Sequence, residues 1–197
     1  MIRAHDIVLL DKTALKNVEL PEWVEETDQL FATVRRGMPL EADSVLVGLR
    51  GRERQQRFGF ETTLNKVEEV IHPWELVTRN SFREAEVTEY SVYQQYREAQ
   101  LLLKNHHWGV GGSLGFELAT QRATIKPSSD LDLLLYANSA AELPMEIIKE
   151  NLAFFEKLDT QIISQKGGFV LKEFLSQPSK KILLKTNEGP KLTTEIW

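Results

Sequence analysis

Short runs of apolar residues, separated by turn-forming residues, fill the first third of the chain. These runs predict β-strands at residues 7–10, 31–36, 44–49 and 57–60. Glycine, proline or clustered charges stand between them, and turn signals at this spacing are typical of a small antiparallel sheet. The pattern therefore predicts a β-rich module at the N-terminus.

The pattern changes after His72-Pro73-Trp74. Between residues 87 and 105 apolar side chains recur at steps of three and four, which predicts an amphipathic helix. Helices are also predicted over 114–121 and 144–158, strands over 131–136, 159–164 and 182–185, and turns at 167–168 and 187–190. The expected fold class is α+β, with a small N-terminal β-rich module in residues 1–80 and a mixed sheet flanked by helices in residues 81–197.

Composition narrows the classes of function. The 197 residues include no cysteine, which excludes disulfides, thiolate catalysis and cysteine-ligated zinc. The net charge of −5 argues against binding of long nucleic acids. The apolar runs are too short to cross a membrane, and the first residues lack the features of a signal peptide. We expect a cytoplasmic protein that binds neither nucleic acid nor membrane.

The main chemical motif is Gly111-Gly112-Ser113, followed 17 residues after Ser113 by Asp130-Leu131-Asp132. Glycines let backbone N–H groups approach a phosphate closely, because no Cβ intervenes. Ser113, as the expected N-cap of the next helix, adds a hydroxyl and the positive helix end. Asp130 and Asp132 lie two apart on a predicted strand, so both carboxylates point to one face. The motif predicts a phosphate site beside a Mg²⁺ site.

Nucleotidyl transfer uses one or two magnesium ions, and a third carboxylate usually completes such a site. Asp159 is the best candidate, because it opens the next predicted strand; Glu173 and Glu117 are weaker ones. More ordinary roles are open for each motif. The aspartates could be charges on an exposed strand edge, the glycines could end the preceding helix, and Asp159 could be a turn residue.

The order of these motifs resembles the nucleotidyltransferase superfamily of DNA polymerase beta. Beyond that, nearly the full length resembles one family, the malonate decarboxylase holo-acyl-carrier-protein synthases, also called phosphoribosyl-dephospho-CoA transferases. The residues that carry this resemblance are Arg3 to Asp6, Val47 to Gly51, Gly109 to Thr120, Ser128 to Leu135, Asp159 to Gln161, Gly167 to Phe169, Leu183 to Thr186 and Gly189-Pro190. The chain has Gln121-Arg122 where a glycine more often follows the helix in the family.

The resemblance implies a specific reaction. Such an enzyme transfers the phosphoribosyl-dephospho-CoA group from 2′-(5-triphosphoribosyl)-3′-dephospho-CoA to a serine of the apo acyl carrier protein of malonate decarboxylase, and pyrophosphate leaves. The family pattern carries over onto Gly112, Ser113, Asp130 and Asp132, with Gly111 in the same turn. We assign Asp159 the third-carboxylate role by its position alone.

Basic residues outside this motif are further candidates for substrate binding. Although the chain is acidic overall, one stretch of eight residues contains four arginines: Arg50, Arg52, Arg54 and Arg57. Arginine binds phosphate oxygens in pairs, so the cluster could hold the donor's phosphates. It could equally dock an acidic carrier protein, or be a solvated hairpin paired with Glu53 and Glu61. Lys185, on a late strand, could reach the pyrophosphate or simply lie on the surface.

Two other functions remain open at the level of sequence. One is a nucleotidyltransferase that uses an ordinary nucleoside triphosphate and another acceptor. The other is a non-catalytic protein that binds an acyl carrier protein without magnesium. The presence of Ser113, Asp130 and Asp132 together makes this second alternative the weaker one.

Overall fold

A computed structural model of the chain describes residues 1–24, 27–53, 55–79, 89–176 and 181–197. The chain divides into two compact units, Met1–His72 and Pro73–Trp197. The sequence pattern predicts a division between residues 80 and 81, which lie outside the described residues.

The N-terminal unit is built on one antiparallel sheet of five strands. Its strands are β1 (Ile7–Leu10), β2 (Leu30–Val34), β3 (Ser44–Arg50), β4 (Arg57–Thr63) and β5 (Val67–Ile71). They lie in the order β4-β3-β2-β1-β5, so the predicted β-rich module is confirmed. Alternate residues of the strands form the core, because successive side chains point to opposite faces. The core contains Val8, Leu10, Ala32, Val34, Val45, Val47 and Leu49.

The first and last strands of this unit are neighbours, with Ile7 opposite Ile71. Beside this pair, Oδ1 of the buried Asp6 lies 2.9 Å from Nδ1 of His72. The other carboxylate oxygen accepts a hydrogen bond of 2.7 Å from the backbone N–H of Arg3. Burial raises the pKa of the Asp6 carboxyl above its usual value, and the contacts with His72 and Arg3 partly offset that rise.

The C-terminal unit contains a six-stranded mixed sheet with helices, which confirms the expected α+β class. Its strands are β6 (Trp108–Val110), β7 (Asp132–Tyr136), β8 (Asp159–Ser164), β9 (Gly167–Val170), β10 (Ile182–Thr186) and β11 (Gly189–Thr193). They lie in the order β11-β10-β9-β8-β7-β6. Strands β7 and β8 are parallel, whereas the other neighbouring pairs of this sheet are antiparallel.

Five α-helices lie in the described part of this unit: α1 (Ser91–Leu102), α2 (Gly112–Thr120), α3 (Met145–Glu150), α4 (Leu152–Phe155) and α5 (Leu171–Ser176). The single helix predicted over 144–158 is wrong, because Asn151 divides it. Asn151 has φ −117° and ψ 32°, and its side-chain amide donates to the carbonyl of Ile147 at 2.9 Å. An asparagine that bonds to nearby backbone competes with regular helix.

The predicted turn at Gly167-Gly168 is also wrong, because both residues belong to β9. Gly167 has φ +154°, and a Cβ there would lie 2.5 Å from the carbonyl oxygen of Lys185. A glycine at this position lets the backbone of β10 approach closely. Across the described ranges, no helix is long and apolar enough to cross a membrane.

Helix α1 is anchored by Tyr96, which is fully buried. Its hydroxyl lies 2.6 Å from the carbonyl oxygen of Leu76 and 2.9 Å from that of Arg79. Burial raises the pKa of this phenol, so it stays a neutral donor. On the same side, Gln100 donates to the carbonyl of Val77 at 2.7 Å. Side chains of helix α1 therefore donate hydrogen bonds to the backbone carbonyls of Leu76, Val77 and Arg79.

We expect Tyr96→Phe to lower the free energy of unfolding by about 1–2 kcal/mol, because the buried Leu76 carbonyl and the partly buried Arg79 carbonyl lose their shared donor. Tyr90→Phe is the matched control, since Tyr90 is a half-buried tyrosine just before the same helix. Its effect should stay within about 0.5 kcal/mol. Urea unfolding measured by circular dichroism tests both, and equal effects would contradict the anchoring role.

Candidate active site

The parallel pairing of β7 and β8 brings Asp132 and Asp159 together. The two residues are direct partners in the register, each at the first position of its strand. Partners in a parallel pair point to the same face, and neighbouring strands lie about 4.8 Å apart. Asp132 is half-buried and Asp159 is exposed. Two carboxylates thus stand side by side at one end of the sheet.

Asp130 is exposed and lies just before β7, two residues ahead of Asp132. The intervening Leu131 is fully buried, and its N–H donates to Oε1 of Gln95 on α1 at 3.2 Å. This bond ties the entry of β7 to helix α1. Within the described residues, no three Asp, Glu or His side chains lie close enough together to hold one metal ion.

The glycine turn lies directly against Asp132. The N–H of Gly111 donates to the carbonyl of Asp132 at 2.9 Å, which attaches the turn to β7. Gly112 has φ +60°, a left-handed conformation that favours glycine. A Cβ on Gly112 would overlap Oδ2 of Asp132, so the carboxylate occupies the space that any other residue would fill. The expected phosphate-binding turn and one expected metal-binding carboxylate are therefore in contact.

Ser113 is not the N-cap of helix α2, as the sequence analysis expected. The N-cap is Gly111, and the helix begins at Gly112, which makes Ser113 its second residue. The backbone of Gly112 has a left-handed φ of +60°, and the helix already begins at this residue, one position ahead of Ser113. The N–H groups of the first helical turn have no acceptor inside the helix. The positive helix end therefore opens next to Asp132.

Glu117 has a structural role that the sequence analysis missed when it treated this residue as a possible metal ligand. It is buried, and its carboxylate accepts hydrogen bonds from Thr124 N–H at 2.8 Å, Ile125 N–H at 3.1 Å and the Tyr93 hydroxyl at 3.1 Å. Thr124 in turn donates through Oγ1 to the carbonyl of Ser113 at 2.9 Å. These bonds fasten the loop before Asp130 to the helix that carries Ser113.

Gln121 ends helix α2 in the left-handed conformation, with φ 57°. Glycine is the residue that most often ends helices in this way. Gln121 adopts this conformation although it is not a glycine, and its side-chain amide donates to the carbonyl of Leu118 at 3.3 Å.

Lys185 does not join the aspartate pair. It is an exposed residue opposite Gly168, which is opposite Ile163, four residues beyond Asp159 on β8. The register separates Lys185 from Asp159 by about 13 Å along the strands and two strand spacings across them. Glu173, the other weaker ligand candidate, accepts a hydrogen bond of 3.1 Å from the N–H of Leu183. Arg50 belongs to β3 of the N-terminal unit, and Arg54 lies outside the described residues.

Carboxylates in register beside the N-terminus of a glycine-started helix suit an α+β transferase that handles phosphorylated groups. The comparisons with known proteins specify the family. Residues 3–73 match the family described as "Phosphoribosyl-dephospho-CoA transferase MdcG N-terminal domain", and residues 82–195 match its C-terminal counterpart. The chain belongs to the phosphoribosyl-dephospho-CoA transferase family, as its resemblance predicted.

Relatives with this name match along nearly their whole length. A phosphoribosyl-dephospho-CoA transferase of Pseudomonas syringae pv. tomato is 33% identical, over 100% of this chain and 94% of its own. One of Klebsiella pneumoniae strain 342 is also 33% identical, over 99% and 96%. One of Pseudomonas aeruginosa is 29% identical, over 98% and 92%. No solved structure matches the chain.

We expect Gly112→Ala to reduce transferase activity by roughly a hundredfold or more, because the new methyl displaces the Asp132 carboxylate and small misplacements are costly in catalysis. Gly111→Ala is the matched control. A Cβ on Gly111 would lie 3.5 Å from Cβ of Asp132, an ordinary contact that leaves the Asp132 carboxylate in place, so the loss of activity in Gly111→Ala should be much smaller. Steady-state rates, with thermal melting as a folding check, measure both. Equal losses would contradict the contact.

We expect Glu117→Ala to lower the free energy of unfolding by about 2–3 kcal/mol, because three donors lose a charged acceptor. At temperatures where the variant remains folded, its turnover should still fall, since the loop before Asp130 is released from α2. Tyr93→Phe removes one donor and leaves the loop's two N–H bonds intact. A folded Glu117→Ala variant with normal turnover would show that the loop needs no such attachment.

Proposed function

We propose that this chain transfers the phosphoribosyl-dephospho-CoA group from 2′-(5-triphosphoribosyl)-3′-dephospho-CoA to a serine of the apo acyl carrier protein of malonate decarboxylase, with release of pyrophosphate. In this proposal the chain is a nucleotidyltransferase that attaches a prosthetic group. The family assignment supports the transferred group. The observation that carries the mechanism is the contact between Gly112 and the Asp132 carboxylate, with Asp159 in register beside it.

The residues present fit a magnesium site in which phosphate oxygens of the substrate supply some of the metal ligands. Magnesium prefers oxygen ligands, and it usually binds one or two carboxylates, several waters and the phosphates of its substrate. Asp132 and Asp159 are register partners, and Asp130 lies at the entry of the same strand, although the three carboxylates do not form one cluster among the described residues. We therefore propose that these aspartates hold Mg²⁺, as one ion or two. Bound there, Mg²⁺ would neutralise charge that develops on the phosphate oxygens.

The chain's own residues would act on the two substrates as follows. Backbone N–H groups at the start of α2, with the Ser113 hydroxyl, bind the triphosphate end of the donor, since a helix N-terminus favours anions. The acceptor serine oxygen forms a bond to the phosphorus nearest the ribose. The bond from that phosphorus to pyrophosphate breaks with its electron pair leaving on pyrophosphate, and the serine proton passes to solvent water. We assign Asp159 to the acceptor side, where it would orient that hydroxyl.

The test is intact-mass spectrometry of the apo carrier protein after incubation with the purified chain, Mg²⁺ and the triphosphoribosyl donor. We expect a gain equal to the phosphoribosyl-dephospho-CoA group, and its loss when EDTA is added. Asp130→Ala and Asp132→Ala should abolish the gain with little effect on folding, because the metal-binding oxygens are removed. Either variant retaining most activity would contradict the metal assignment.

Substitution of ATP, GTP, CTP or UTP for the donor separates this proposal from an ordinary nucleotidyltransferase. A mass gain equal to a nucleoside monophosphate would overturn the proposed donor. A carrier protein that a known transferase loads, but this chain does not, would overturn the proposed acceptor. A complex with the carrier that forms in EDTA and never yields a product would indicate a binding protein.

A further inference from the structure

One face of the N-terminal sheet carries a row of arginines. Arg50 on β3 and Arg57 on β4 are direct cross-strand partners. Their side chains share a face, with Cβ atoms about 5 Å apart. Like charges at this spacing destabilise a sheet unless an anion or another contact offsets the repulsion. The other face of the same strands supplies the core residues Val45, Val47 and Leu49.

A third arginine lies on this face because two glycines make room for it. Gly48 and Gly59 are cross-strand partners, two positions along the register from Arg50 and Arg57 and on the same face. A Cβ on Gly48 would lie 3.1 Å from Cδ of Arg35, and one on Gly59 would overlap the Arg35 guanidinium. The Arg35 side chain therefore lies flat across both glycines, which brings its guanidinium to the side of Arg57. Arg35 and Arg57 are both exposed.

Exposed apolar side chains stand next to this row. Met38 and Leu40, in the loop between β2 and β3, are 64% and 91% exposed. The N–H of Leu40 donates to Glu61 at 2.8 Å, and Glu61 is the next residue of β4 on the same face as Gly59. The loop is thereby held along this face. We call Arg35, Arg50, Arg57, Met38 and Leu40 the arginine face.

We propose that the arginine face docks an acidic surface of the acceptor protein, so that the N-terminal unit selects the carrier whose serine is modified. This inference rests on the proposed function, because the acceptor is the protein named there. Charge complementarity carries it: three guanidinium groups are gathered on one face of a chain whose net charge is −5. Such complementarity steers association and sets specificity.

A protein is a better occupant than the donor's phosphates for two reasons. Arg35 and Arg57 are exposed on a sheet face, whereas small-molecule sites are concave and bury most of the ligand's surface. Methionine and arginine are also enriched at protein interfaces, and Met38 is 64% exposed in the loop that the Leu40 N–H attaches to Glu61 on this face.

Binding of the full chain to apo carrier protein without donor, measured by biolayer interferometry, tests the proposal. We expect Arg35→Glu and Arg57→Glu each to weaken Kd by about tenfold, because attraction becomes repulsion. Arg35→Gln and Arg57→Gln should show smaller losses of affinity. They also serve as controls in case the reversed charge of the Glu variants causes misfolding. Wild-type affinity should fall as salt rises, with a shallower dependence in the variants. Lys16→Glu, an exposed reversal after β1, is the matched control and should stay within about twofold.

The same variants are then assayed for transfer. A raised KM for the carrier with an unchanged KM for the donor supports docking, whereas a raised KM for the donor alone would assign the arginines to its phosphates and overturn the proposal. Folded arginine variants that bind like wild type would overturn it too. If the wild type transfers the group and the arginine variants transfer it equally well, only the proposed docking surface is contradicted. No transfer by wild type defeats the proposed function itself.

Discussion

The site depends on the parallel pairing of β7 and β8. This register places Asp132 and Asp159 in one row, although 26 residues separate them in the sequence. A shift of one residue would turn every side chain of β8 to the opposite face and move Asp159 away from its partner. Buried residues on both strands, such as Leu133 and Ile162, make that shift unfavourable. Packing of the core therefore fixes the geometry of the carboxylates at the sheet's end.

The pattern of apolar and polar residues was sufficient to predict most of the strands and helices and to predict a pair of carboxylates. The continuous apolar run Leu131 to Leu135 indicates β7, and the two-residue period of a strand by itself predicts that Asp130 and Asp132 share one face. The family resemblance added the order of motifs. The contact of Gly112 with Asp132 could not be predicted, because it depends on how the turn folds back over a strand that comes 20 residues later.

The errors have the same origin. Ser113 has the residue type of an N-cap, yet a left-handed Gly112 moves the start of the helix. Gly167 has the residue type of a turn, yet it serves the close approach of β10. Glu117 has the residue type of a metal ligand, yet three donors of the surrounding chain use its oxygens. In each case the residue type allowed two roles, and tertiary contacts decided between them.

The pairing of Ile7 with Ile71, reinforced by Asp6 and His72, puts the two ends of the N-terminal unit side by side. Chain ends that meet in this way are what allow a domain to be permuted or inserted elsewhere. A short linker could join residues 1 and 72, and new ends could open between β2 and β3 without cutting a strand. Rearranging the chain connections in this way would leave all five strands of the unit intact.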